Sequence, residues 1–171
     1  MKLISDKPNE YITLDSIVDG PGLRMVIWFQ GCNHFCRDCH NPKTHSFSKG
    51  NWVDIENIKS EILKEFNKGC YDGITFSGGD PIYQIDALYE LTEFAKNIGL
   101  NVWVYTGFIY EDILTFNKEI SKKLKYIDVL VDGPFERELK TFDCIYRGSS
   151  NQRLIDIQES LAENRTILFK E

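Results

Sequence analysis

Three cysteines lie close together in the first quarter of the chain, Cys32, Cys36 and Cys39, in the spacing C-x-x-x-C-x-x-C. Cubane iron-sulfur clusters usually take four thiolates, one for each iron. Three thiolates leave one iron without a protein ligand, and such an iron can bind a small molecule and pass an electron to it directly. The spacing therefore predicts a 4Fe-4S cluster that acts as a reaction centre, with these three cysteines as its metal ligands and catalytic residues.

Structural zinc is the alternative reading of the same cysteines. Zinc sites of this kind need four ligands, and either His34 or His40 can complete such a set. The spacing favours iron-sulfur over zinc but leaves both open. The remaining cysteines, Cys70 and Cys144, stand alone in the sequence. We interpret them as small buried apolar residues, with a fourth cluster ligand as the alternative.

A second candidate site is the segment SGGDP at 77–81. Its two glycines, Gly78 and Gly79, let a ligand approach the backbone and leave N–H groups exposed to it. The carboxylate of Asp80 can accept hydrogen bonds from a ligand ammonium, and Pro81 suits the first turn of a following helix. Gly-Gly-Asp turns are also common after strands, so this segment alone is equally compatible with a structural turn.

The elements that must position these residues follow from the hydrophobic pattern. Apolar, partly β-branched runs predict strands at 24–29, 73–76, 101–105, 127–131 and 166–169, with a weaker one at 144–146. Apolar residues on one helical face predict helices at 54–66, 85–98, 111–124 and 153–163. Alternation of strands and helices is typical of a parallel sheet with right-handed crossovers.

Chain length limits the number of strand-helix units. A closed eight-unit barrel needs about 250 residues, and this chain has 171. We therefore predict an α/β fold, a partial (β/α) barrel of five to six units in a single domain over 1–171, with a flat doubly wound sheet as the alternative. The conspicuous polar and glycine residues follow the predicted strands. In a parallel sheet such turns open on one edge, where ligands bind.

Composition excludes several functional classes. The net charge of −6 argues against nucleic-acid binding. The first residues lack the apolar core of a signal peptide, and no apolar run is long enough to span a membrane. Five cysteines are an odd number, which makes a disulfide framework improbable. A cytoplasmic protein without nucleic-acid or membrane partners is expected.

Five segments together carry a resemblance to a known family: DGPGLR at 19–24, the cysteine segment from QGC at 30–32 to CRDCHNP at 36–42, SGGDP at 77–81, VLVDGPF at 129–135 and YRGSSNQR at 146–153. The chain resembles the radical S-adenosylmethionine (SAM) activases of glycyl radical enzymes. The last two segments and the short length make it similar, within that family, to activating proteins of anaerobic ribonucleoside-triphosphate reductase.

The resemblance implies a radical SAM fold and a mechanism. The 4Fe-4S cluster has three cysteine ligands and one open iron, to which SAM binds. Reductive cleavage of SAM gives a 5'-deoxyadenosyl radical, which takes a hydrogen atom from a glycine loop of the partner, the large subunit of the anaerobic ribonucleotide reductase. A donor such as flavodoxin or ferredoxin supplies the electron. The implied cofactor-binding residues are Asp38, Cys39, His40, Ser77, Gly78, Gly79 and Asp80.

The chain departs from the wider radical SAM superfamily at two positions. Asp38 stands where an aromatic residue commonly precedes the third cysteine, so His40 or backbone groups are expected to hold the adenine. Asp80 stands where glutamate is common. Alternative functions are activation of a different glycyl radical enzyme, radical SAM chemistry on a small molecule, and a non-catalytic zinc or iron-sulfur module. Thr106, Asp132 and Arg147 are weaker site candidates.

Overall fold

The computed structural model describes residues 1–3, 11–117 and 119–170. These residues contain eight strands: β1 Lys2–Leu3, β2 Ile12–Ser16, β3 Arg24–Phe29, β4 Asn51–Trp52, β5 Gly73–Gly78, β6 Asn101–Tyr105, β7 Val129–Asp132 and β8 Arg153–Asp156. They also contain five α-helices: α1 Ile55–Phe66, α2 Ile85–Asn97, α3 Tyr110–Ile113, α4 Ile120–Leu124 and α5 Ile157–Glu163. Short 3-10 helices cover Pro42–Thr44, Pro81–Gln84 and Arg137–Leu139.

The strands form one mixed sheet in the order β4-β1-β3-β5-β6-β7-β8, with β2 also paired to β3. Its centre, β3-β5-β6-β7, is parallel. The flanking strands are antiparallel to their neighbours: β1 and β2 to β3, β4 to β1, and β8 to β7. The carboxyl ends of the four parallel strands therefore meet at one edge of the sheet.

The five α-helices lie against one face of the sheet. Side chains alternate between faces along a strand, and in β6 Val102 and Val104 join a buried cluster that includes residues of every α-helix. Trp103, between them, belongs to a second cluster with Val129, Val131 and Leu154, which contains no residue of an α-helix among those described. The sheet thus has one face covered by helices and one face that holds a small aromatic and aliphatic cluster.

A buried arginine lies at the amino ends of three of the parallel strands, β3, β5 and β6. Arg24 begins β3 and is fully buried. Its guanidinium donates hydrogen bonds to Thr75 Oγ1 at 2.8 Å, to the Ile74 carbonyl at 2.9 Å and to the Asn101 carbonyl at 3.0 Å, and lies 5.5 Å over the Trp103 ring. Burial lowers the pKa of Arg24 to about 10. The 19–24 segment thus contributes its arginine to the end of the sheet opposite the cysteines.

Helix boundaries follow their capping residues. The helix predicted at 54–66 begins at Ile55, because the Asp54 side chain accepts a hydrogen bond from the Glu56 N–H at 2.9 Å and acts as its N-cap. The helix predicted at 85–98 ends at Asn97. The next glycine, Gly99, has φ +97°, a backbone conformation that other residues rarely adopt. No helix in the described ranges combines the length and apolar character that a membrane span requires.

Three of the predicted strands are confirmed, at 24–29, 73–76 and 101–105, although β5 runs two residues further, to Gly78. The strand predicted at 127–131 is displaced to Val129–Asp132. The weak strand at 144–146 is wrong, because that segment turns and Tyr146 has a left-handed φ of +60°. The 166–169 strand is reduced to an antiparallel bridge between Leu168 and Ile155.

Two helix predictions are partly wrong. The 153–163 helix begins only at Ile157, since the four residues before it form β8 and pair with β7. The 111–124 helix is divided into α3 and α4. Between them the Asn117 side chain accepts a hydrogen bond from the Glu119 N–H at 2.9 Å. Such local side-chain bonds compete with a continuous helix.

Candidate functional site

A cleft lies at the carboxyl edge of the four parallel strands. It is lined by three cysteines and by residues from the turns that follow β5, β6 and β7: Cys32, His34, Cys36, Cys39, His45, Gly78, Gly79, Tyr105, Thr106, Gly107, Gly133, Phe135 and Gln152. The structure therefore brings the cysteine segment and the glycine turn of the sequence predictions to one place. Cys70 is exposed and Cys144 half-buried, and neither lines the cleft.

The cysteine segment is a tightly bent loop anchored at its start. Gly31 has φ +109°, and its N–H and that of Cys32 donate to the carbonyls of Thr44 at 2.7 Å and His45 at 3.0 Å. Phe35 and Asp38 both have left-handed backbones, with φ of +51° and +57°. Cys32 and Cys39 are only seven positions apart in the sequence. These reversals let both of them, and Cys36 between them, direct their side chains toward one cleft.

Burial controls the ionisation of the thiols. It raises the pKa of Cys32 to about 11 and also raises the pKa of Cys36. At neutral pH such thiols stay protonated unless a positive charge favours the thiolate, and iron ions supply that charge. Three thiols lining one cleft, with no disulfide, therefore fit the ligand set of an iron-sulfur cluster.

Within the described ranges, no group of three or more His, Cys, Asp or Glu side chains is arranged to hold a single metal ion. In a cubane each thiolate binds its own iron. The cysteine ligands of such a cluster therefore need not meet at a single metal ion, as the ligands of a zinc site do.

The glycines at 78 and 79 are required by close packing of strand ends. A Cβ atom at Gly79 would lie 2.5 Å from the Gly31 carbonyl oxygen, and one at Gly78 would lie 2.6 Å from the Phe29 backbone. The Gly79 N–H donates to the Phe29 carbonyl at 2.8 Å, and the Asp80 N–H donates to the Gly31 carbonyl at 2.9 Å. The expectation that the glycines of this turn offer free N–H groups to a ligand is therefore wrong for Gly79.

Asp80 is buried, with 1% of its surface exposed. Its Oδ1 accepts from the Ile82 N–H at 2.9 Å and so caps the 3-10 helix that follows. Its Oδ2 lies 2.6 Å from His34 Nε2 and accepts from Thr106 Oγ1 at 2.8 Å and from the Gly107 N–H at 3.0 Å. The carboxylate thus connects the turns after β3, β5 and β6.

The other predicted cofactor-binding residues do not line the cleft. Asp38 is exposed and forms an ion pair with Arg137 at 2.7 Å. His40 is also exposed, and its ring centroid lies 5.1 Å from that of Phe135, which does line the cleft. Ser77 is half-buried in β5, paired with Trp28 of β3. Their roles toward a cofactor stay predictions.

The weaker candidates have different positions. Thr106 lines the cleft and donates its hydroxyl to Asp80. Asp132 is fully buried and does not line the cleft. Its carboxylate accepts hydrogen bonds from Arg153 Nε at 3.0 Å and from Arg153 Nη2 at 2.5 Å. Arg147 lines a separate cavity beside β8, together with Arg153. Of the three, only Thr106 is within the candidate site.

Gln152 is a cleft residue that the sequence analysis did not single out as a site residue. Its Oε1 accepts from the N–H groups of Gly148 at 2.9 Å and Ser149 at 3.2 Å, while Nε2 donates to the Gly133 carbonyl at 3.0 Å. The amide therefore closes the RGSSNQ loop and joins it to the turn after β7. The RGSSNQ segment was noticed, but nothing in its spacing indicates which side chain faces the cysteines.

Comparison with known proteins agrees with this geometry. Residues 18–155 match the model of a family described as a 4Fe-4S single cluster domain. The chain is 36% identical, over 80% of its length and 86% of the relative's, to the anaerobic ribonucleoside-triphosphate reductase-activating protein of Enterobacteria phage T4.

Bacterial relatives of the same name match as extensively. The identity is 35% to the protein of Pasteurella multocida, over 80% of this chain and 89% of the relative. It is 32% to that of Escherichia coli K12, over 84% and 94% of the two chains. With a 4Fe-4S single cluster domain over most of its length, and with this similarity, the chain belongs to the family of anaerobic ribonucleoside-triphosphate reductase-activating proteins.

Proposed function

We propose that the protein generates a glycyl radical on an anaerobic ribonucleoside-triphosphate reductase, using SAM and a 4Fe-4S cluster held by Cys32, Cys36 and Cys39. The observation that carries this proposal is the cleft, where the side chains of the three cysteines border the Gly78-Gly79 turn. The names of the relatives supply the partner. When bound, the cluster supplies the electron for reductive cleavage of SAM, giving a 5'-deoxyadenosyl radical that takes a hydrogen atom from a glycine of the partner.

The proposed architecture is a single domain over 1–171, a partial (β/α) barrel of radical SAM type. Its support is the position of the helices, which all pack on one face of the described sheet. A doubly wound sheet carries helices on both faces. The opposite face, with Trp103 and Val129 at its centre, then corresponds to the inside of the barrel.

The chain's own residues have distinct proposed roles around the cofactors. The cysteine loop holds the cluster. Gly78 and Gly79, which line the cleft, border the methionine end of SAM. Ser77 precedes them and Asp80 follows them in the chain. The adenine end is proposed to lie toward Asp38, Cys39 and His40, of which Cys39 lines the cleft. His40 is suited to this because its ring packs, tilted by 41°, against Phe135 at the cleft, and aromatic rings in such a pair can also pack on a base.

The proposed setting is cytoplasmic, with a flavodoxin or ferredoxin as electron donor. The large reductase subunit is the macromolecular substrate, and its glycine loop must reach the cleft. Two strongly exposed aromatic side chains agree with a protein partner: Phe35 in the cysteine loop and Phe142 after β7 are 72% and 94% exposed. Exposed aromatic residues of this kind are enriched at protein interfaces.

Anaerobic reconstitution followed by two assays tests the proposal. The protein is loaded with iron and sulfide, reduced, and mixed with SAM, with and without the co-expressed reductase. We expect about four irons per chain, release of 5'-deoxyadenosine, and a glycyl radical signal in electron paramagnetic resonance (EPR) only when the reductase is present. Colourless protein with one zinc contradicts the proposal. Deoxyadenosine without a radical on the reductase points to another glycyl radical enzyme or a small-molecule substrate.

A further inference from the structure

We propose that Asp80 and His34 form a positioning pair that holds the cysteine loop against the ends of β5 and β6, and that the carboxylate of Asp80 acts by this contact and not as a direct ligand of SAM. The inference rests on the proposed function for its consequence, the placement of the cluster beside the SAM site. Its structural part concerns this chain's own residues and can be tested without any cofactor.

The number of donors around Asp80 supports this assignment. Four hydrogen-bond donors converge on one carboxylate, three of them on Oδ2: His34 Nε2, Thr106 Oγ1 and the Gly107 N–H. An ionised carboxylate offers about four lone-pair positions in all. Four donors match that number, and Asp80 is only 1% exposed. The carboxylate is therefore already committed to the protein.

His34 is fixed on its other sides as well. Its ring packs edge-on against Phe108, with centroids 4.5 Å apart, and approaches Tyr83 at 6.0 Å. A Cβ atom at position 107 would lie 2.4 Å from the His34 ring, so Gly107 provides the space in which the ring sits. With the imidazole in its Nε2–H form, His34 donates a hydrogen bond to the Asp80 carboxylate, 2.6 Å away.

The location of His34 gives this contact its importance. It lies two residues after Cys32 and two before Cys36, in the middle of the loop. Backbone hydrogen bonds anchor the start of the loop, and its side-chain ion pairs, Arg37 with Glu138 at 3.6 Å and Asp38 with Arg137 at 2.7 Å, are exposed. Exposed pairs of this kind contribute little to stability. A hydrogen bond to a buried carboxylate is stronger, so the His34–Asp80 contact is the main side-chain restraint on the path between the first two cysteines.

The test uses His34→Ala and Asp80→Asn, each as metal-free and as reconstituted protein. His34→Gln is the conservative variant, because its side-chain amide can still donate to Asp80. Arg37→Ala is the matched control in the same loop. The first readout is amide hydrogen exchange of the loop in the metal-free protein. The second is the rate at which a chelator removes iron from the reconstituted protein, and the third is SAM affinity per cluster.

We expect His34→Ala and Asp80→Asn each to speed loop exchange and iron release about tenfold, the effect of losing one charge-assisted hydrogen bond. The double variant is expected to be no faster than either single variant, since His34→Ala removes the contact that Asp80→Asn weakens by removing its charge. His34→Gln should restore most of the protection, and Arg37→Ala should match wild type. SAM affinity per loaded cluster should change less than these rates.

Three results overturn the inference. One is unchanged exchange of the loop in His34→Ala. Another is additive acceleration in the double variant. The third is an Asp80→Asn protein that keeps its iron and its loop protection but binds SAM at least tenfold more weakly, which would make Asp80 a direct ligand. The exchange experiment needs no cluster, so it judges the pair even if wild-type protein takes up zinc and the proposed function fails.

Discussion

Replacing Gly79 with alanine tests why the turn after β5 contains two glycines. The new Cβ atom would lie 2.5 Å from the Gly31 carbonyl oxygen, about 0.9 Å closer than the 3.4 Å at which ordinary contact begins. The obstacle is backbone, which cannot rotate away as a side chain can. The ends of β3 and β5 must therefore move apart in Gly79→Ala.

The two hydrogen bonds that join these strand ends set the magnitude. They run from the Gly79 N–H to the Phe29 carbonyl at 2.8 Å and from the Asp80 N–H to the Gly31 carbonyl at 2.9 Å. Each contributes about 0.5–1.5 kcal/mol, so losing both lowers the free energy of unfolding by roughly 2 kcal/mol. For a chain of this size that corresponds to a melting temperature lower by about 4–8 °C.

Urea unfolding of the metal-free protein under reducing conditions measures this effect without any cofactor. Gly107→Ala is the comparison, since its Cβ atom would meet the His34 side chain and not the backbone. We expect a smaller loss of stability in Gly107→Ala than in Gly79→Ala. Equal stability of Gly79→Ala and wild type would refute the reasoning. Ligand access would then be the remaining reason for the two glycines.

Three further predictions concern Glu111, Gln152 and Cys70. The hydrogen bonds from Arg153 lower the pKa of Glu111 from 4.5 to about 2. The ion pair therefore stabilises the fold above about pH 4.5, and this stabilisation is lost as the pH falls from 4.5 to 2. Since Glu111 is half-exposed, the loss should be only about 1 kcal/mol, and Glu111→Gln should remove that part of the acid dependence of melting. Gln152→Ala leaves the Gly133 carbonyl and two loop N–H groups without partners, and should cost about 2–3 kcal/mol in urea unfolding; a change below the error of the measurement would contradict the proposed loop closure. Cys70→Ser should retain full iron uptake, and loss of iron in that variant would make Cys70 a ligand.

The sequence was sufficient for the elements that position the cleft. After their first residues, Arg24 and Asn101, the runs at 24–29 and 101–105 consist of apolar and aromatic residues, as strands covered on both faces do, and their bounds are confirmed. Glycine and polar residues directly after the strands correctly predicted a common edge. This inference needs only the parallel direction of the strands, which the alternation with helices already indicates.

The parts that failed depend on tertiary contacts. Residues 153–156 form β8 because they pair with β7, and the local signal that ends the strand is Asp156, the N-cap of α5, whose side chain accepts from the Glu159 N–H at 2.9 Å. Similarly, Asp80 and His34 are 46 residues apart. Their contact depends on the register of β3 beside β5, which no local pattern encodes. The sequence thus indicated that Asp80 belongs to the site but not what its carboxylate contacts.

The central claim is that Cys32, Cys36 and Cys39 hold a 4Fe-4S cluster with one iron open to SAM. Mössbauer spectroscopy of protein reconstituted with enriched iron, before and after addition of SAM, tests it most directly. One iron in four should change its signal when SAM is added, and the spectrum of a four-iron cluster should be absent from the Cys32→Ser, Cys36→Ser and Cys39→Ser variants. Four irons that all remain unchanged with SAM, or an intact four-iron cluster in any of these variants, would contradict it.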